Sequence, residues 1–111
     1  MKYEMKLHNN PFNLINSGSK TIELRLNDPK RQLLKVGDTI EFTNTDTAEK
    51  LLVEIVDLVK YPSFLELYKD NDKVAMGYGL DEEANYKDME LYYSLEEQKK
   101  YGVLAIKIQK L

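Results

Sequence analysis

Residues 17–31 read SGSKTIELRLNDPKR. Ser17-Gly18-Ser19 has the composition of a turn. From Lys20 onward polar and apolar residues alternate, the pattern of a strand with one buried face. On this reading Lys20–Asn27 is a central strand, with Ile22, Leu24 and Leu26 on one face and Thr21, Glu23 and Arg25 on the other. Alternate side chains along a strand lie about 6.5–7 Å apart, so the three polar ones are near neighbours. Two readings of that face compete. It is a solvated surface with an ion pair worth well under ~1 kcal/mol. Or it is the floor of a site, where the Glu23 carboxylate holds the Arg25 fork toward a phosphate or a base edge. If the face lines an open cleft, replacing Arg25 costs little stability and replacing Leu24 costs much.

Working outward, KYEMKL at 2–7 places Tyr3, Met5 and Leu7 on one face of a first strand. NNPFNLINSG at 9–18 is a short helix, with Asn10 as its cap, Pro11 in the first turn and Gly18 as its stop. It is expected to cover one end of the sheet. LKVGDTIEF turns at Gly37-Asp38 into a strand burying Ile40 and Phe42. After a polar hairpin loop, LLVEIVDLVK is a long strand whose apolar phase slips midway, which signals burial on both sides or a bulge. Ser63 with Glu66, and Ser94 with Glu97, stand at capping-box spacing and start two more short helices. Residues 69–88 are polar and read as a long irregular segment, of the kind that is often functional or mobile, and whether residues 69–90 form a lid is left open. VLAIKIQKL closes the chain as a strand burying Leu104, Ile106 and Ile108. Strands and short helices in this mixed order do not make a doubly wound sheet. They fit an α+β domain, a small mixed, mostly antiparallel β-barrel with short peripheral helices.

Composition bounds the function. A chain of 111 residues is one domain. With 42% hydrophobic and 32% charged residues, it has the make-up of a soluble, folded protein. No apolar run approaches a membrane span, and no signal-peptide core stands at the start, so the expected location is cytoplasmic. There is no cysteine, which removes disulfides, thiolate catalysis and cysteine-based zinc sites. His8 is the only histidine, so neither a histidine-pair metal site nor a Cys–His catalytic pair exists. The acidic run Asp81-Glu82-Glu83 reads as a solvated face, and no metal or cofactor is expected. The net charge is −3, yet residues 18–36 carry Lys20, Arg25, Lys30, Arg31 and Lys35 against Glu23 and Asp28. That local excess suits a few phosphates and not the many contacts of a long duplex.

The blocks SGSKTIELRL, KVGDTIEF, YPSFLELY and YGVLAIKI, in this order, resemble the ASCH domain family, whose barrel is similar to the PUA domain of RNA-modifying enzymes. The resemblance runs from about Met5 to Ile108 and is most specific at Gly18-x-Lys20-Thr21-Ile22-Glu23-x-Arg25. It implies a single PUA-like domain over 1–111 that binds RNA or a nucleotide in a cleft beside the barrel. One bacterial branch hydrolyses acetylated cytidine nucleosides with the lysine of this block, a threonine three residues later and a distant glutamate. Lys20 matches that lysine, but Glu23 stands at the threonine position, with Thr21 the nearest hydroxyl. Asp88 and Glu90 are the candidates for the distant acid.

The leading reading is therefore an RNA- or nucleotide-binding domain, with no membrane partner and an oligomeric state left open. Lys20 and Arg25 supply charge, Glu23 orients, His8 stands near the cleft, and Tyr92 stacks on a base, a contact worth about 1–3 kcal/mol. The first alternative is an amidohydrolase using Lys20, Glu23 and Thr21 on an acetylated cytidine-type nucleoside. The second is a protein-interaction scaffold. For Lys20 to act as a base, burial must pull its amine well below the usual ~10.4.

Overall fold

The structure, a computed structural model, describes every residue from 1 to 111. Five strands form one curled sheet: β1 (Lys2–Leu7), β2 (Ile22–Leu26), β3 (Thr39–Asn44), β4 (Lys50–Tyr61) and β5 (Val103–Lys110). Their order is β1-β3-β4-β5-β2, with β1 parallel to β3 and every other pair antiparallel. The sheet is a half-barrel, matching the expected mixed, mostly antiparallel PUA-like architecture. Four short helices surround it: α1 (Asn9–Asn16), α2 (Phe64–Asp70), α3 (Lys73–Met76) and α4 (Leu95–Tyr101). None is long and apolar enough to cross a membrane.

Two apolar cores share the sheet. The inner one packs Met5, Leu7, Ile40, Phe42, Val53, Leu104, Ile106 and Ile108 under Phe12 and Ile15 of α1, which closes that side as expected. The outer one packs Ile22, Leu24, Val103 and Ala105 against Phe64 and Leu67 of α2 and Met76 of α3. β5 is thus covered on both faces, which explains its unbroken apolar run. The phase slip in β4 is a bulge at Val56, between Ile55 and Asp57.

Three local expectations are corrected. β2 is an edge strand of the half-barrel, not a central one. The alternation of Ile22, Leu24 and Leu26 reports the helical layer over one face, and carries no information about how many neighbours the strand has. α1 begins two residues earlier than expected: His8 holds the cap position, without a side-chain cap, and Asn10 lies inside the first turn. The segment 69–88 is not irregular throughout, because it contains α3 and leads into a 3-10 turn at Tyr86–Leu91. Asp72 caps α3 by accepting from Ala75 N at 3.1 Å, and Gly77 ends it at φ +111°. At α4 the capping box forms in full, whereas at α2 Ser63 donates only to the Glu66 side chain and leaves the backbone uncapped.

Candidate functional site

β2 enters the fold between its two cores. Glu23 stands opposite Ile106 and Arg25 opposite Leu104, so both point to the side of the sheet that holds the inner core. Cross-strand partners share a face. The face carrying Glu23 and Arg25 is therefore not the wet surface of one of the two initial readings. Glu23 is 5% exposed and Lys20 6%.

Burial at this depth requires partners, and three groups supply them to one another. Glu23 Oε2 receives both Arg25 Nε at 2.8 Å and Arg25 Nη2 at 2.7 Å. Glu23 Oε1 lies 3.4 Å from Lys20 Nζ, which also donates to the Met76 carbonyl at 2.8 Å. Arg25 Nη2 reaches the Lys6 carbonyl at 3.1 Å and so joins the two edge strands across the open seam of the half-barrel. The turn before β2 sets Lys20 in place: Gly18 ends α1 at φ +87°, and Thr21 N bonds to Ala75 O at 2.9 Å. Gly77 provides the space, since a Cβ there would lie 3.1 Å from Lys20 Cδ and 3.4 Å from Nζ.

The electrostatics follow from that packing. Burial pulls the Lys20 amine below its ordinary value, with Glu23 opposing the shift. Burial alone would push the Glu23 carboxyl up, but the charges of Lys20 and Arg25 outweigh it and hold the carboxyl below its ordinary range. Arg25 is shifted up, since Glu23 overcomes the cost of its burial. Lys20 as an ammonium has three N–H groups, and Met76 O and Glu23 account for two. The third has no partner within the protein, and Tyr93 stands beside the Arg25 guanidinium and helps to raise it. The triad carries one net positive charge.

Above the triad lies a cleft of about 520 Å³, lined by Lys6, His8, Lys20, Glu23, Arg25 and a group of tyrosines, among other residues. Tyr68, Tyr78, Tyr92 and Tyr93 all border it. Tyr92 is 65% exposed at the rim, and Tyr93 is stacked on Phe64 with ring centres 6.1 Å apart. Tyr78 OH bonds to Tyr68 OH at 2.8 Å and to Asp88 Oδ2 at 2.7 Å. Burial, then the bonds to Tyr68 and Asp88, push the Tyr78 phenol above its ordinary range.

The cleft thus brings together Lys20, Glu23, Arg25, His8, Tyr92 and Asp88. Thr21 and Glu90 are not among its lining residues. Thr21 serves through its backbone, and its side chain is exposed. His8 places its ring Nδ1 3.4 Å from Thr45 Oγ1. Sequence reasoning missed Met76 and Gly77, and it named Tyr78 and Tyr93 only as loop tyrosines able to stack on a base, not as members of the site. The Asp72…Gly77 pair, a cap and a stop around a one-turn helix, was the signal that could have found the first two. No group of three or more His, Asp or Glu side chains is arranged to hold a metal ion.

Comparison with known proteins agrees with this fold. A family model described as ASCH domain matches residues 5–111. The crystal structure of hypothetical protein PH0355 is similar over 100% of both chains, with 33% identity and a TM-score of 0.85. The solution structure of PF0455 from Pyrococcus furiosus is also 33% identical, covering 100% of this chain and 98% of that one with a TM-score of 0.78. A mutant of ZmASCH from Zymomonas mobilis shares the fold at 18% identity, covering 96% of this chain and 66% of that one with a TM-score of 0.67. No curated protein matches the chain.

Proposed function

The chain belongs to the ASCH domain family, and from that premise we propose that it binds a single nucleotide, free or as one unit of an RNA strand, in the cleft over Lys20, Glu23 and Arg25. The observation that carries this reading is the buried triad, whose one net positive charge stands at the floor of a cleft of about 520 Å³. Small-molecule sites span roughly 300–1,000 Å³. The free N–H of Lys20 and the positive charge of Arg25 suit a phosphate or carbonyl oxygen, and the tyrosines suit a flat base. Lys6, Lys20 and Arg25 are balanced in the cleft by Glu23, Glu82 and Asp88. That balance favours one nucleotide over a long strand held by counterion release.

Hydrolysis of an acetylated nucleoside is a second reading, favoured by one observation: Lys20 is buried beside a carboxylate in a preformed cleft. Two features weigh against it. Glu23 is held below its ordinary range, which makes it a poor general base. The Thr21 hydroxyl lies outside the cleft.

A thermal-shift screen of nucleosides, nucleotides and short RNA oligomers tests both. Ligand at about 100 times its dissociation constant stabilises the fold by ~2.7 kcal/mol. In a domain near this size each kcal/mol raises Tm by roughly 4–8 °C, so a true ligand shifts Tm on the order of 10 °C. Hydrolysis that is lost in both Lys20→Ala and Glu23→Ala would promote the second reading. No shift with any of these compounds would favour a protein-interaction scaffold.

A further inference from the structure

The triad accounts for one polar pole of the cleft and leaves a second unused. Asp88, on the 3-10 turn Tyr86–Leu91, lines the same cleft. Its backbone is tied back to Asn85 O at 3.0 Å, and its Oδ2 receives Tyr78 OH at 2.7 Å. A phenol has one proton. Given to the carboxylate, that proton leaves Tyr78 to accept from Tyr68 OH at 2.8 Å. The rings and their hydroxyls thus fix one oxygen of Asp88, while Oδ1 carries no hydrogen bond. A carboxylate only accepts.

We propose that Asp88 Oδ1 selects the base, so that the cleft takes a nucleotide whose base carries an exocyclic amino group rather than a carbonyl at that edge. The inference rests on the nucleotide reading above and names the ligand class it implies. The ribose is the other donor on a nucleotide. A ribose diol, however, uses both oxygens of a carboxylate, and Asp88 offers one. Tyr78 and Tyr92 line the same cleft as Asp88 and supply aromatic rings there, which suit a base better than a sugar. Asp88 is exposed, so the discrimination arises where the bound base excludes water from Oδ1: a carbonyl placed there sets two acceptors against each other, and an acceptor left unpaired in that way costs more than a hydrogen bond contributes.

Isothermal titration with matched pairs tests this on the wild-type chain: AMP against IMP, and CMP against UMP, each exchanging an amino group for a carbonyl. The amino member should bind roughly ten- to a hundredfold tighter, the range for a hydrogen bond to a charged group. Asp88→Asn keeps the shape and turns the free acceptor into a donor, so the preference should vanish or invert. Equal binding within both pairs, or a preference that survives Asp88→Asn, overturns the assignment while leaving nucleotide binding in place. Loss of binding on removing the 2′-hydroxyl (dAMP against AMP), without an amino preference, assigns Asp88 to the ribose and overturns it likewise. Failure of every nucleotide to bind removes the nucleotide reading itself, and this inference with it.

Discussion

Arg25 grips one oxygen of Glu23 with two nitrogens, Nε at 2.8 Å and Nη2 at 2.7 Å, and passes Nη2 on to the Lys6 carbonyl at 3.1 Å. A residue that reads in the sequence as a recognition arginine is therefore also the clasp between the two edge strands.

Arg25→Ala should consequently destabilise the fold, against the small cost expected for a side chain on an open cleft face. Removing one partner of a buried ion pair costs about 3–5 kcal/mol, and the remaining contact with Lys20 places this case near the lower end. The double variant Arg25→Ala, Glu23→Gln should be less destabilised than the two single changes added together. Urea denaturation of all four proteins checks the coupling. Additive effects would mean that the two side chains do not hold each other.

Acid stability follows from Glu23. Its carboxyl is held below the ordinary 4.5, chiefly because the Lys20 and Arg25 charges outweigh burial. A depressed folded value contributes stability that is complete above the unfolded value and is lost as pH falls through the folded one. The wild type should therefore lose stability below about pH 4.5 more steeply than Glu23→Gln, as read by chemical denaturation across pH. Parallel pH profiles would contradict the assignment.

Leu24→Ala should cost about 2–5 kcal/mol, the usual range for a buried leucine, because Leu24 packs in the outer core beside Phe64 and Leu67. Thr21→Val should be close to neutral for stability and for ligand binding, since its side chain is exposed and outside the cleft. Thermal denaturation and the ligand titration together check the contrast. A Thr21→Val variant that loses ligand binding would return the hydroxyl to the site.

Gly77→Ala should weaken both fold and site. The position needs φ +111°, and a Cβ would press on Lys20 Cδ at 3.1 Å. Backbone strain of this kind costs about 1–3 kcal/mol, and the displaced amine loses its bond to Met76 O. A ligand affinity unchanged in Gly77→Ala would show that Lys20 does not need this placement.

The alternation of residues 20–27 disclosed the strand, and the three capping and glycine signals around residues 18, 63 and 94 disclosed the helix boundaries there to within a residue or two. The same alternation could not disclose that Glu23 is buried. The groups that cover the triad and its cleft, Met76, Gly77, Tyr78 and Tyr93, come from a stretch with no hydrophobic period. α3 is a single turn of four residues, too short for periodicity to register. The meeting of Tyr68, Tyr78 and Asp88 joins three separate elements and has no signature in spacing at all. Edge position was equally hidden, because a strand covered on one face by helices and on the other by a curled sheet has the residue pattern of a central one.

Lys20 and Arg25 are proposed to form a cationic floor for a nucleotide. Calorimetric titration of AMP and of adenosine into the wild type and into Lys20→Met tests it most directly, with methionine keeping the buried volume and leaving Glu23 paired to Arg25. AMP should bind the wild type more tightly than adenosine does, added salt should narrow the difference, and Lys20→Met should remove most of it while remaining folded. Equal affinity of AMP for a folded Lys20→Met and for the wild type would contradict the account.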